Sequence, residues 1–413
     1  MIIQNYIEKI AKCSKPAEGV TRLPFTKEHK SANNLLKQWM SDAGLKISLD
    51  AAGTLIGKYV SPKKNAKTLL IGSHQDSGYN SGRYDGIMGV ILPILALKEL
   101  KKKKIILPYN VEILAFADEE GVRFPTALMG PRSLAGTFNK KDLKLKDKNN
   151  ISIEQALKSF GCNPSKINSL KRNKKDLLGF FEVHIEQGPV LESKNLAVGI
   201  VNGISGISRF KLEIEGYASH AGTTPMHLRK DSLAATAEVI NTVENLAKKN
   251  KNFLATMASI ENRPNSVNAI PAKSLSFVEC RSVDDKKRKK VEKEISKKIG
   301  LICKKRGLKF NLNKTYDQSA VSCDKKMMSK LKKSFQNLKL NPFVLMSGAT
   351  HDASAMSDLC PISMLFVRSQ KGLSHNPKEF TIEKDMQIAV KVIEKFLINF
   401  NWFNKRYWCW KYI

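Results

Sequence analysis

Four short apolar runs in this 413-residue chain each give way to a polar cluster of the same kind. Residues 68–71 lead into Gly72-Ser73-His74, residues 111–117 into Asp118-Glu119-Glu120, and residues 180–183 into His184-Ile185-Glu186-Gln187. Nearer the C-terminus, residues 362–367 enter a loop that ends in Leu373-Ser374-His375. Helical patterns separate the early runs, which is the texture of an α/β sheet. Open sheets of that class place their sites beyond the C-terminal ends of the strands. The repetition therefore predicts one composite site fed by several strand ends.

Between residues 208 and 322 the texture changes. Residues 209–215 alternate apolar and polar, as a strand with one wet face does, and Leu233, Ala237, Ile240, Val243 and Ala247 then follow helical spacing. A second strand candidate, residues 274–280, precedes a helix with Val291, Ile295, Ile299 and Ile302 on one face. An insert of about 115 residues is large enough to be a layered domain of its own. The expected organisation is a catalytic domain split into residues 1–207 and 323–413, with residues 208–322 inserted.

Composition narrows the partners. The formal charge is +32, carried by 57 Lys and only 13 Arg. Scattered lysine makes a solvated surface, whereas phosphate and base recognition leans on arginine forks. The runs at 101–104 and 286–290 lack interleaved aromatics, and no helix-turn-helix, zinc finger or RNP pattern accompanies them, so no nucleic-acid partner is expected. The longest apolar stretch, 86–97, is broken by Gly89 and Pro93 and is shorter than the ~20 residues that span a bilayer, so no membrane is expected either. The N-terminus shows no signal-peptide pattern. The seven cysteines include no CxxC and read as reduced thiols of a cytoplasmic protein. The aromatic and basic tail NWFNKRYWCWKYI reads as the end of a packed terminal helix, with a membrane-surface or partner contact as the alternative.

The chemistry lies with histidine. Five of the seven fall inside dense polar motifs. His74 offers an imidazole ligand, and Asp76 is placed to accept its other N–H and fix the tautomer. Asp85 stands in a loop bearing Gly78, Gly82, Gly86 and Gly89, which lets the backbone turn a carboxylate inward. Taken alone it would cap the following helix; beside His74 it reads as a ligand. The adjacent Glu119 and Glu120 repel each other, and a cation explains the pair if one binds it and the other stays free as a base. His184 and His375 add two more imidazoles. Three histidines with Asp85 and Glu120 are too many for one catalytic zinc with an open position, and suit two divalent ions bridged by one carboxylate.

Six fragments then occur in order: SHQDS…YDG, ADEEGVRF, EVHIEQGP, HAGTTPM, NAIPA…R and SGATHDA…GLSHNP. Together they resemble the binuclear-metal amidohydrolases that include allantoate amidohydrolase, N-carbamoyl-L-amino-acid hydrolase and β-ureidopropionase, relatives of the zinc aminoacylases and peptidases. GSHQDS, FADEEGVRFPT and FVRSQKGLSHNP look most like the allantoate branch. The resemblance implies an α/β fold with a central mixed sheet flanked by helices, zinc-exopeptidase-like, and an inserted α+β lid and dimerisation domain. His74 and His184 would hold one metal, Glu120 and His375 the other, with Asp85 as bridge. Glu119 would be the general base. His220 would come from the insert of a partner subunit in a homodimer and stabilise the oxyanion. Gln187, Asn268 and Arg281 would grip the substrate, Arg281 as a carboxylate clamp. The chain departs from the family's pattern at Thr350, where Gly is commoner, and at Gly78 and Ser81.

The expected activity is metal-assisted hydrolysis of a linear amide or ureido C–N bond in a small substrate that carries a carboxylate. The first reading is allantoate to ureidoglycine, ammonia and carbon dioxide; the second is an N-carbamoyl-L-amino acid. The expected cofactor is two divalent ions per subunit, zinc or manganese, with cobalt and nickel also suited to these ligands. A reading from another class is a basic binding protein that keeps the fold without catalysis, against which the intact Glu119 and the five ligand candidates count.

Overall fold

The computed structural model describes residues 2–400, so the aromatic and basic tail lies outside the described residues. The chain divides into two compact units. The first takes in residues up to Asn202, then Cys323–Leu345, and those from Thr350 onward; the second is Gly203–Ser322 with Met346–Ala349.

The first unit is built on a mixed sheet flanked by helices. Seven of its strands run in the spatial order Lys46–Leu49, Leu55–Tyr59, Asn110–Phe116, Thr68–His74, Leu177–Ile185, Ile362–Val367, Val198–Ile204. The four central strands are mutually parallel, and the outer pairings are antiparallel. These four are the apolar runs singled out in the sequence. All seven residues of Thr68–His74 are buried, as expected of a parallel strand covered on both faces. The covering helix Met88–Lys102 buries eleven of its fifteen residues, among them Val90, Ile91, Leu92, Ile94 and Leu95. It packs against Phe181, Val183 and Ile185 from the sheet and Ile393 and Phe396 from the last helix, Glu383–Asn399. Because the four strands are parallel and adjacent, their C-terminal ends open on one edge of the sheet. His74, Asp118-Glu119-Glu120, His184 and the loop to His375 are all delivered there.

The second unit is a four-stranded antiparallel sheet in the order Lys309–Gln318, Gly206–Glu215, Lys273–Ser282, Phe253–Arg263. Two helices cover one face. Asp231 caps the first, Ser232–Lys249, by accepting the amides of Leu233 and Ala234. Asp284 caps the second, Asp285–Lys305, by accepting the amide of Lys287. That second helix buries Val291, Ile295, Ile299 and Ile302, the stripe its sequence predicts. The first does not follow its predicted face. Its core contacts are Ala235, Val239, Val243 and Leu246, while Leu233 is 36% exposed and Ala237 is exposed. Alanines on several sides of this helix blur the apolar stripe, and the larger Val239 and Leu246 set the true one.

Candidate active site

Asp85 is the centre of the site. It follows Tyr84 in the loop before the buried helix, and its side chain does not cap that helix. Its Oδ1 lies 3.2 Å from His74 Nε2 and 3.2 Å from His184 Nε2. Its Oδ2 lies 3.4 Å from His375 Nε2 and accepts hydrogen bonds from Gln187 Nε2 at 2.8 Å and Ser374 Oγ at 2.6 Å. His375 Nε2 is also 3.7 Å from Glu120 Oε1. Three donor groups thus come close enough to hold a metal ion: His74, Asp85 and His184; Asp85, Glu120 and His375; and His74, Glu119 and Glu120. The first two share Asp85.

The tautomers are set from behind. His74 Nδ1 lies 3.0 Å from the carbonyl oxygen of Asp76, and His184 Nδ1 lies 2.9 Å from that of Ile185. A carbonyl can only accept, so each ring carries its proton on Nδ1 and presents the Nε2 lone pair forward. His184 Nε2 in fact accepts the Gly86 amide at 3.2 Å. Two imidazole lone pairs therefore face one carboxylate oxygen, an arrangement that needs positive charge between or on them. A divalent cation fits this donor set with both rings neutral. Without positive charge, burying these carboxylates would cost several kcal/mol each.

Asp76 departs from expectation. Its backbone carbonyl, not its carboxylate, is the partner of His74; the carboxylate Oδ1 stands 4.0 Å from Nδ1. The carboxylate instead accepts the amides of Glu119 at 3.2 Å and Glu120 at 3.3 Å. Asp76 thereby ties the end of one strand to the acidic turn after its neighbour. That turn starts at Asp118, whose φ of 61° is in the left-handed region.

The electrostatics follow from burial. Burial raises Asp85, and His184, His375 and His74, when protonated, outweigh it and hold the carboxylate well below its usual range; a cation takes over that role when the rings are neutral. Burial pushes Glu119 well above that range, and the charges of Glu120, Asp352 and Asp76 add to the rise against His74. Glu120 is raised for the same leading reason, with Asp85 adding to it. Glu120 Oε1 has no hydrogen-bond partner among the described residues.

Two glycines are demanded by contact. A Cβ on Gly86, whose φ is +64°, would lie 2.3 Å from the His74 ring, and one on Gly82 would lie 2.0 Å from the Glu379 carboxylate. Gly78 meets only ordinary contacts, so the space there does not require a glycine. Glu379 is one of the residues that sequence reasoning missed. Buried, it accepts the amides of Tyr84 at 2.8 Å and Asp85 at 3.1 Å and so holds the backbone that carries Asp85. Ser374 was missed too, although it adjoins His375. Glu182, inside the quoted EVHIEQGP motif, accepts Ser73 Oγ and the Ala353 amide, both at 2.8 Å, and the His351 ring packs 4.6 Å from that of His184.

His220, Asn268 and Arg281 belong to the second unit. There Ala221 donates its amide to Asn268 O at 2.9 Å, and His220 pairs with Ala269. Arg281 donates from Nε to Glu279 Oε1 at 2.6 Å and from Nη1 to Gly348 O. Part of its fork is therefore engaged within its own unit. Gln187, expected to grip substrate, has its amide nitrogen on Asp85, while its Oε1 has no partner among the described residues.

Residues 69–399 match the model of peptidase family M20/M25/M40. The chain belongs to that family. Among its M20 relatives, N-carbamoyl-L-amino-acid amidohydrolase of Pseudomonas sp. (strain NS671) is 36% identical over 401 residues, covering 96% of this chain and 97% of that one. Allantoate deiminase 2 of Glycine max is 36% identical over 424 residues, covering 95% and 87%. In structure, an amidase of the hydantoinase/carbamoylase family from Burkholderia multivorans superposes with a TM-score of 0.90 at 27% identity, covering 96% and 97%.

Proposed function

We propose that this M20 chain is a metal-dependent hydrolase of a linear ureido or amide C–N bond, with allantoate as its substrate. The observation that carries the chemistry is the carboxylate of Asp85 gathered by three imidazoles, two of which, His74 and His184, turn Nε2 lone pairs toward it, with the half-buried Glu119 alongside. Under this reading His74, Asp85 and His184 hold one ion, Asp85, Glu120 and His375 hold a second, and Asp76 supports the first. Two divalent cations, zinc or manganese, with cobalt and nickel also compatible with the donors, would supply Lewis acidity at the carbonyl and acidify water.

The remaining chemistry falls to side chains. Glu119 takes the proton of the attacking water and returns it to the departing nitrogen, a role suited to a carboxylate whose affinity for protons is raised. His220 of the partner subunit donates a hydrogen bond to the oxyanion. Gln187, Asn268 and Arg281 orient the substrate, Arg281 through its carboxylate. With allantoate and water the products are ureidoglycine, ammonia and carbon dioxide.

The second unit is read as a lid and as the dimerisation surface. Support comes from its edge strand Phe253–Arg263, where Leu254 is 51% and Ile260 41% exposed, and from the exposed Leu233 on the adjoining helix. No helix among the described residues is long and apolar enough to cross a membrane.

The second reading is an N-carbamoyl-L-amino acid as substrate, favoured by the full-length similarity to the Pseudomonas amidohydrolase. A panel of allantoate, several N-carbamoyl-L-amino acids and N-acetyl amino acids, assayed with added zinc, manganese, cobalt and nickel, separates the two. Allantoate should give the highest kcat/KM and release ammonia. A faster N-carbamoyl amino acid would replace the first reading by the second, and hydrolysis of none would remove both.

A further inference from the structure

His220 stands at the end of the two-residue strand Ser219–His220, paired with Ala269–Ile270, and its side chain is exposed. The turn that follows it is bonded in a particular way. The Gly222 amide donates to His220 Nδ1 at 3.1 Å. A backbone N–H has no lone pair to offer, so Nδ1 must accept, and the proton of the neutral ring resides on Nε2. Gly222 fits this close approach: a Cβ there would lie 3.2 Å from the ring Cε1 and 3.5 Å from Nδ1.

The turn is fastened from both sides. The Thr224 amide donates to His220 O at 3.2 Å, and the Ala221 amide to Asn268 O at 2.9 Å. Arg229 completes it, donating from Nη2 to Ala221 O at 2.6 Å and from Nε to Thr224 O at 3.0 Å. The two carbonyls flank Gly222. A guanidinium presents its N–H groups in a rigid planar fork, so it fixes the spacing of those carbonyls in a way a lysine ammonium cannot.

We propose that Arg229 is a positioning residue that, together with the Gly222 amide, holds His220 as a neutral imidazole protonated on Nε2. This rests on the role proposed above for His220 and specifies it. A ring protonated only on Nδ1 would turn a lone pair toward a developing oxyanion and repel it. A ring fixed in the Nε2–H form donates at once, without waiting for a proton or a tautomer exchange. No proton leaves the ring: the interaction is a hydrogen bond that strengthens as charge develops on oxygen.

The test uses the full chain with its metals, labelled with ¹⁵N-histidine, and long-range ¹H–¹⁵N correlation. His220 is assigned by the signals lost in His220→Ala. The wild type should show a pyridine-like Nδ1 and a pyrrole-like Nε2 without averaging. In Arg229→Ala these signals should move toward an exchanging mixture, and kcat should fall about 10-fold with KM nearly unchanged, as expected when a donor is misplaced. Arg229→Lys should fall between, and it carries the test if the alanine variant does not fold. In a His220→Ala background, Arg229→Ala should remove nothing further. Averaged or Nδ1-protonated signals in the wild type would overturn the proposal. So would an Arg229→Ala loss of the same size with and without His220, because Arg229 would then act elsewhere. If His220→Ala leaves turnover intact, the catalytic reading of His220 falls instead, and the ¹⁵N signals still decide the tautomer.

Discussion

The loop that carries Asp85 and the turn that carries His220 hold their functional side chains in opposite ways. Asp85 is buried, and its two oxygens meet three imidazoles, an amide and a hydroxyl drawn from three other segments of the first unit. His220 is exposed and held almost wholly by backbone groups of its own turn and one arginine. The difference reflects charge. Buried carboxylates and imidazoles persist only when every group is compensated, so the surrounding contacts are dense and long in range. A neutral donor that meets its target only during the reaction needs orientation rather than neutralisation, and local hydrogen bonds provide that.

The largest effect should come from breaking the buried region at its base. Glu119→Gln should lower turnover by about 10³-fold while metal content stays the same, because the amide cannot take a proton. Glu120→Gln should instead lose metal from one site. Metal analysis beside steady-state rates distinguishes the two, and near-wild-type turnover in Glu119→Gln would mean that the base lies elsewhere.

On the exposed side, His220→Ala should cost about 10²-fold in kcat with the metals retained, the usual size for one oxyanion donor. If His220 serves the partner's site, mixing Glu119→Gln and His220→Ala homodimers should restore activity. Subunit exchange should bring it toward roughly a quarter of wild type, since half the dimers then contain one intact site. Demonstrated exchange without recovery would assign His220 to its own chain.

A smaller effect is expected at Glu379. One oxygen accepts both the Tyr84 and Asp85 amides, so Glu379→Gln should be tolerated, whereas Glu379→Ala should weaken metal retention about 10-fold through the loosened Asp85 loop. Competition with a chelator measures this. Equal retention in both variants would show that the amide contacts do not matter to the ions.

The sequence made the buried region easier to find than to understand in detail. Four parallel strands announce themselves because burial on both faces leaves apolar runs, and the polar residues after them stand out by contrast. The pairing of Asp76 was not legible, because an offset of two residues from His74 does not tell a carboxylate from a carbonyl. Glu379 contacts the Asp85 loop across 294 residues of chain, and nothing local marks it. Gln187 was assigned to substrate by resemblance, while its contact with Asp85 depends on a left-handed backbone, φ 57°, that sequence does not display. In the second unit the helix face at 232–249 was misread because small alanines carry little directional signal.

His29 lies outside both regions, and its effect is on stability rather than on turnover. It is buried against Phe160 and Phe25, and its Nδ1 accepts the Phe25 amide at 2.9 Å. Burial, with the charges of Arg22 and Arg123, lowers its pKa from 6.5 to about 3. Between those values the unfolded chain binds a proton that the folded one refuses. Its contribution to stability is therefore complete above about pH 6.5 and declines as pH falls toward 3, by about 1.4 kcal/mol per pH unit. His29→Asn keeps an acceptor but cannot titrate. Its unfolding free energy should fall less steeply between pH 6.5 and 4.5 than that of wild type, and equal slopes would count against the assignment.

The central claim is that the Asp85 cluster is a binuclear metal centre on which hydrolysis depends. Metal analysis of the purified, active chain, followed by exhaustive chelation and readdition, tests it most directly. About two divalent ions per chain should be found, with turnover lost on chelation and restored by zinc, manganese, cobalt or nickel. Full turnover in metal-free protein would contradict the account.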